Sequence, residues 1–119
     1  MKQISGYRAV ARYLRISPKK MRPVADLVRG KSYADSLAIL ENLPNKGARM
    51  LKKVISSAGA NALYKNKNLD EDMLYVKELR VDEGPRLKRV WPRSRGRADL
   101  LLKRMSHVLV VLDEKENFR

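Results

Sequence analysis

Cysteine is absent from this 119-residue chain, and histidine occurs once, at His107. Those two absences remove disulfides, thiolate nucleophiles and any zinc site built on Cys or paired His, and they leave the redox compartment unreadable. Aromatic residues make up only 6% of the chain, with one Trp and one Phe, so a single small domain with a modest core is expected rather than a large enzyme with a deep cleft. Long apolar runs are missing too: Leu100 to Leu102 and Val108 to Leu112 fall far short of the roughly 20 residues that span a bilayer. Met1 to Ile16 carries Lys2, Arg8, Arg12 and Arg15 with no apolar stretch, so no signal peptide and no membrane partner are expected. A soluble protein of the cytoplasm or an equivalent compartment is the reading.

Negative charge is also scarce, with 13 Asp and Glu against 27 Lys and Arg, a formal net charge of +14. Its placement matters more than its size, because a clustered excess makes a docking field whereas a uniform one gives solubility. Residues 1–22 hold seven basic residues (Lys2, Arg8, Arg12, Arg15, Lys19, Lys20, Arg22) and no acid. Residues 86–104 hold eight (Arg86, Lys88, Arg89, Arg93, Arg95, Arg97, Lys103, Arg104) and one acid, Asp99, so each block is +7. The other 78 residues hold 12 basic and 12 acidic residues and balance. A polyanion is the partner such blocks fit. A solvated face is the plain alternative for either block alone, but the second has six Arg to two Lys together with Trp91, and Arg makes bidentate bonds to phosphate and stacks on bases.

The chain outside these blocks reads as an α+β body. Tyr7 to Ile16 alternates loosely, with Arg8, Val10, Arg12 and Leu14 on one side, and predicts an edge strand. Ser17-Pro18 is an N-cap and first-turn signal, Met21, Val24, Leu27 and Val28 form a helical stripe, and Gly30 ends it. Pro23 would remove a helical hydrogen bond, which predicts an irregular first turn and a regular helix starting nearer Arg22. Ser32 with Asp35 caps a second helix whose stripe is Ala34, Leu37, Ala38 and Leu40. Asn45 opens a third, with Ala48, Leu51, Ile55, Ala58 and Ala62 facing the core, and Gly59 marks a close approach to another element. Lys46, Arg49, Lys52 and Lys53 fall off that stripe, toward solvent or a partner. Asp70, Glu71 and Asp72 form a hydrated polar loop rather than a metal site. Leu74, Val76, Leu79 and Val81 predict a strand with a bulge near Lys77 or Glu78, and His107 to Leu112 a strand buried on both faces.

Between those last two strands the connection is far longer than the two to five or so residues of a common hairpin turn. Arg95 lies midway between Arg86 and Arg104, and Pro92-Arg93-Ser94-Arg95-Gly96 has turn chemistry. An extended hairpin with its tip there is therefore expected, each arm projecting about 30 Å at 3.3 Å per residue. Such arms have no core of their own and are expected to be ordered by a polyanionic surround. Trp91, set among Arg89, Pro92, Arg93 and Arg95, suits stacking on a base or packing into a crevice better than a core. His107 lacks a neighbouring nucleophile or a paired acid at recognisable spacing, so it reads as a hydrogen-bonding or RNA-facing residue.

At this point the residues resemble a family. Val81-Asp82-Glu83-Gly84-Pro85, Lys88-Arg89, Pro92-Arg93, Gly96-Arg97-Ala98, Lys103-Arg104 and Ser106-His107 are similar to the hairpin signature of the large-subunit ribosomal protein L-twenty-two family, bacterial or organellar type. Ser17-Pro18-Lys19-Lys20-Met21-Arg22 and Val24 to Lys31 resemble its first helix, and Ser57 to Ala62 its third. The resemblance implies three helices packed on a small three-stranded antiparallel sheet, with a long protruding basic β-hairpin. The body would span about 1–85 and 105–119 and the hairpin about 86–104, in one domain. It implies a structural constituent of the large ribosomal subunit, not an enzyme and without cofactors or metal, in cytoplasmic ribosomes, with an organellar ribosome the alternative. Implied partners are large-subunit rRNA, neighbouring large-subunit proteins and the nascent polypeptide in the exit tunnel, with no homo-oligomer. The rRNA-binding residues would be Arg8, Arg12, Arg15, Lys19, Lys20, Arg22, Arg86, Lys88, Arg89, Arg93, Arg95, Arg97, Lys103, Arg104 and His107. The tunnel-facing tip would be Lys88, Arg89, Val90, Trp91, Pro92, Arg93, Ser94, Arg95 and Gly96, where Trp91 is bulkier than the small apolar residue expected. Two other classes compete: a general nucleic-acid chaperone that takes DNA as readily as RNA, and an RNA-modifying enzyme or nuclease using His107 with Asp82 or Glu83.

Overall fold

The computed structural model describes residues 6–92, 96 and 98–114, with backbone alone along 87–92 and 98–102. Ser17 supplies the first helical start: its side chain accepts from the Lys20 amide, Pro18 takes the first helical position, and α1 runs Pro18–Val28. Pro23 lies inside α1 without delaying it, contrary to the expected start near Arg22. The carbonyl that Pro23 leaves without its helical donor belongs to exposed Lys19, where water replaces the lost bond at little cost. Arg29 ends the helix and Gly30 follows at φ 82°, a left-handed turn that glycine adopts freely. That turn aims the chain at a neighbouring strand, where the Gly30 amide bonds to the Val76 carbonyl and the Val76 amide to the Lys31 carbonyl.

Helix α2, Tyr33–Glu41, is capped by Ser32 through the Asp35 amide. Its inner face is Tyr33, Ser36 and Leu40, with Leu37 half-buried, while Ala34 and Ala38 are exposed. The expected stripe is thus displaced around the helix. Tyr33 buries more area than either alanine, and buried Ser36 satisfies its hydroxyl on the Ser32 carbonyl at 2.8 Å. Helix α3, Lys46–Lys65, follows the expected Asn45 and buries Ala48, Leu51, Ile55, Ala58 and Ala62, with Val54 beside them. Asn45 makes no side-chain capping bond. Gly59 is the close approach: a Cβ there would lie 2.3 Å from the Tyr33 hydroxyl and 2.4 Å from its ring.

One antiparallel sheet, ordered β1-β5-β2, takes β1 from Tyr7–Leu14, β2 from Leu74–Glu83 and β5 from Ser106–Glu114. The single turn Glu71–Met73 precedes β2. The central β5 is the expected apolar strand, with Val108, Val110 and Leu112 fully buried and Val111 nearly so. In β2 the ladder slips between Val76 and Glu78, the predicted bulge, which keeps Leu74, Val76, Leu79 and Val81 all inward. A second slip, unforeseen, falls between Ala11 and Leu14 of β1, where Tyr13 sits at φ 59°. It turns Leu14 toward the core and leaves Tyr13 exposed. Leu27, placed by its spacing on the α1 stripe, is half-exposed, and Ala25 takes the inward position.

Both sheet edges are occupied. Along β2, Arg29 donates to the Leu79 carbonyl at 2.8 and 3.1 Å, and Arg22, two helical turns earlier, donates to the Val81 carbonyl at 3.2 Å. Along β1, Asn61 of α3 donates to the Arg8 carbonyl at 3.0 Å. Edge groups capped this way do not recruit another strand. Past Glu83 and Ser106 the two strands continue as a separate antiparallel pair, β3 Leu87–Pro92 with β4 Ala98–Lys103. Its register, Leu87 opposite Lys103 through Pro92 opposite Ala98, is symmetric about position 95, the midpoint expected from sequence. The molecule measures 71 Å along its longest axis and 22 Å along its shortest.

Candidate nucleic-acid interface

The site is built at the root of the hairpin. Between the pairs Glu83–Ser106 and Leu87–Lys103, three residues (Gly84, Pro85, Arg86) face two (Met105, Arg104), so the neck is a bulge. The Gly84 amide still reaches the Met105 carbonyl at 2.8 Å, while Pro85 has no amide to give. A bulge here raises local twist and re-aims the β3–β4 pair relative to the sheet. It also turns Lys103 and Arg104, both exposed, back toward the body.

The chain end of β1 meets this neck. Buried Ser106 donates to the Ile16 carbonyl at 2.7 Å, and the Tyr13 amide donates to His107 Nδ1 at 3.0 Å. Nδ1 therefore carries no proton, and the imidazole presents its proton at Nε2. The Tyr13 ring stands edge-on to His107 with centroids 4.9 Å apart. His107 thus pins the β1 bulge, a role the sequence reading left between hydrogen bonding and RNA contact. Its cross-strand neighbour is Asp82, and with Nδ1 taken by the Tyr13 amide only Nε2 remains to meet a partner.

Around the neck lies an open hollow of about 650 Å³ whose cationic lining is Arg15, Lys20, Lys46, Lys103 and Arg104. Ile16, Pro23, Val24 and Gly47 form part of its wall. The two basic blocks, some 80 positions apart in sequence, meet here. None of these five cations pairs with a carboxylate among the described residues. Lys46 leans over the hollow by donating to the Arg15 carbonyl at 3.1 Å. A smaller hollow next to it is lined by Lys19, Arg22, Arg104 and Glu83. Glu83 bonds Arg86 through two guanidinium nitrogens at 2.9 and 3.1 Å, and that bond, with Arg104 and Arg22 nearby, holds its carboxyl below the usual range.

The remaining expected residues fall in three groups. Arg8 and Arg12 are exposed on the outer face of β1, over a sheet-face hollow shared with Arg80, Asp82 and His107. Charge on that face is partly cancelled, because Arg80 lies 3.4 Å from Asp82 and 3.7 Å from Glu78. Arg22 and Arg86 have partners within the fold, the Val81 carbonyl and Glu83. Arg93, Ser94, Arg95 and Arg97 lie outside the described residues, as do the side chains of Lys88, Arg89, Val90, Trp91 and Pro92. Sequence reasoning left Lys46 undecided and could not see that Lys46 and Arg15 face one hollow, since nothing in spacing links the start of α3 to the end of β1.

A small α+β body whose uncompensated cations gather at the root of a projecting hairpin is the build of a ribonucleoprotein component, made to be held by a polyanion from more than one side. The chain belongs to the family described as Ribosomal protein L22p/L17e, which matches residues 9–113. It is 58% identical over 115 residues to the large ribosomal subunit protein uL22 of Treponema denticola, covering 97% of this chain and 98% of that one. It is 52% identical over 113 residues to the protein of the same name from Borreliella afzelii, covering 95% and 94%. With the one from Treponema pallidum it shares 52% over 108 residues, covering 91% and 87%. Members of this family are structural, non-enzymatic ribosomal proteins, and the expected fold class, three helices on a three-stranded antiparallel sheet, is the one observed.

Proposed function

We propose that this chain binds large-subunit rRNA through both basic blocks and bridges separate rRNA segments, with the body holding one and the hairpin reaching another. The chain is a structural constituent of the large ribosomal subunit. The observation that carries the binding reading is the convergence of Arg15, Lys20, Lys103 and Arg104 on one hollow free of carboxylates. Phosphate neutralisation with counterion release supplies the affinity, and contact at two separated places raises it by effective concentration. Most contacts go to backbone and to RNA shape, with sequence read indirectly. The expected contact residues are those read from the sequence, of which Arg22, Arg86 and His107 divide their polar groups between the fold and the partner. The domain layout stands in the same way: a body of about 1–85 and 105–119 carrying a hairpin of about 86–104.

By resemblance to the family, the hairpin tip from Lys88 to Gly96 lines the nascent-peptide exit tunnel, with the nascent chain and neighbouring large-subunit proteins as further partners. The test is sedimentation of a native lysate through sucrose, probing for this chain before and after a high-salt wash. Co-migration with large subunits that survives the wash is expected. Release at moderate salt, or recovery at the top of the gradient, would favour a loosely bound nucleic-acid chaperone instead.

A further inference from the structure

Five cations line one hollow to which no carboxylate among the described residues contributes, although Glu83 lies beside Arg104 in the adjoining one, and such an arrangement repels itself. It persists because four different parts of the fold fix them: Arg15 by the end of β1, Lys20 by the first turn of α1, Lys46 by the start of α3, and Lys103 and Arg104 by the neck. Some cations elsewhere are paired locally, Arg80 with Glu78 and Asp82, Arg86 with Glu83 and Lys52 with Glu41. A space of about 650 Å³ is far larger than one phosphate group, and its charge comes from several elements of the fold. Arg15 and Arg104 bring forked donors suited to phosphate oxygens, while Lys20, Lys46 and Lys103 act as point charges.

We infer that this hollow is a discrete site for adjacent backbone phosphates of one folded RNA segment, and that filling it ties the hairpin to the body. The inference rests on the RNA-binding reading above and deepens it. Lys103 ends β4 on the hairpin side of the neck bulge, Arg104 lies within the bulge, and Arg15, Lys20 and Lys46 are on the body. A strand of phosphates lying between them is attracted to both sides at once, so occupancy selects one hairpin direction. Lys46, unassigned by the sequence reading, becomes a binding residue.

The test uses the full chain and deproteinised large-subunit rRNA, with affinity measured against KCl concentration. The triple variant Lys20→Gln, Lys46→Gln, Arg104→Gln is compared with a charge-matched control, Lys31→Gln, Lys65→Gln, Lys67→Gln, whose side chains are exposed elsewhere. Circular dichroism establishes that both remain folded. Loss of three phosphate contacts makes the log–log salt slope shallower by about 2 in the first triple, with little change in the control. Equal slopes in the two triples would overturn the site and leave only a diffuse field. The second readout is exchange of the Gly84 amide proton, which bonds across the neck. It slows in the wild-type complex and keeps its free-protein rate in the first triple; equal slowing in both would overturn the tie. The RNA-binding reading itself fails by a different result, equal affinity of the wild-type chain for rRNA and for duplex DNA.

Discussion

Gly59 and Tyr33 show how tightly a single position binds two helices. With no side chain at Gly59, the Tyr33 ring of α2 lies directly on the backbone of α3, and burial, with Glu71 nearby, pushes the Tyr33 phenol above its ordinary value of 10.0. Alanine favours an isolated helix over glycine by about 1 kcal/mol. Here its Cβ would overlap the ring, so Gly59→Ala should instead destabilise the fold by about 2 kcal/mol through overpacking. Urea denaturation measures this directly. Because ring overlap is the cause, the penalty should vanish in a Tyr33→Ala background, where only the helix preference remains. A penalty that persists there would point to a cause outside the ring contact. His107 makes a related point. Its spacing says nothing of Tyr13, because the bond forms only once β1 carries a left-handed residue at φ 59°.

Elements whose signals are local were legible in the sequence. Ser17 and Ser32 cap their helices through neighbouring amides, and the β2 bulge shows as a slip in alternation within the strand itself. The hairpin centre followed from turn chemistry and symmetry. What failed depends on long-range packing: which face of α2 turns inward is decided by Tyr33 meeting Gly59, and the helix tolerates Pro23 because the carbonyl that loses its donor belongs to exposed Lys19. The convergence of Arg15, Lys20 and Lys46 with the neck needs the whole fold. The same separation of local and long-range contacts governs the hairpin, whose strands β3 and β4 pair with each other, while among the described residues the core cluster is built by the three helices and the β1-β5-β2 sheet. Replacing residues 88–97 with an Asn-Gly turn should therefore leave cooperative thermal unfolding intact, with a midpoint close to that of the full chain. Loss of cooperativity would mean that the arm belongs to the folding unit and would sink the division into body and hairpin.

For the molecule as a whole, a net charge of +14 held in two blocks that meet at one hollow sets folding and binding against each other in salt. Like charges brought together on folding repel, which lowers the stability of the compact state. Screening relieves this, since the Debye length falls from about 30 Å at 0.01 M to about 10 Å at 0.1 M. RNA binding responds the opposite way, because counterions released on association are harder to release into concentrated salt. Raising NaCl from about 0.01 to 0.1 M should therefore raise the melting temperature of the free chain by several degrees, at about 4–8 °C per kcal/mol for domains of roughly this size, while weakening its hold on rRNA. Scanning calorimetry and filter binding over the same salt series test the pair. The gain in melting temperature should shrink in the Lys20, Lys46, Arg104 triple, which removes three of the five charges at the hollow, and persist in the Lys31, Lys65, Lys67 control, whose charges are dispersed. A flat or falling melting curve in the wild-type chain would show that the neck cations are not in electrostatic tension. The uncompensated hollow would then have to be explained by solvation alone, and the phosphate strand would lose the repulsion that its binding is meant to relieve.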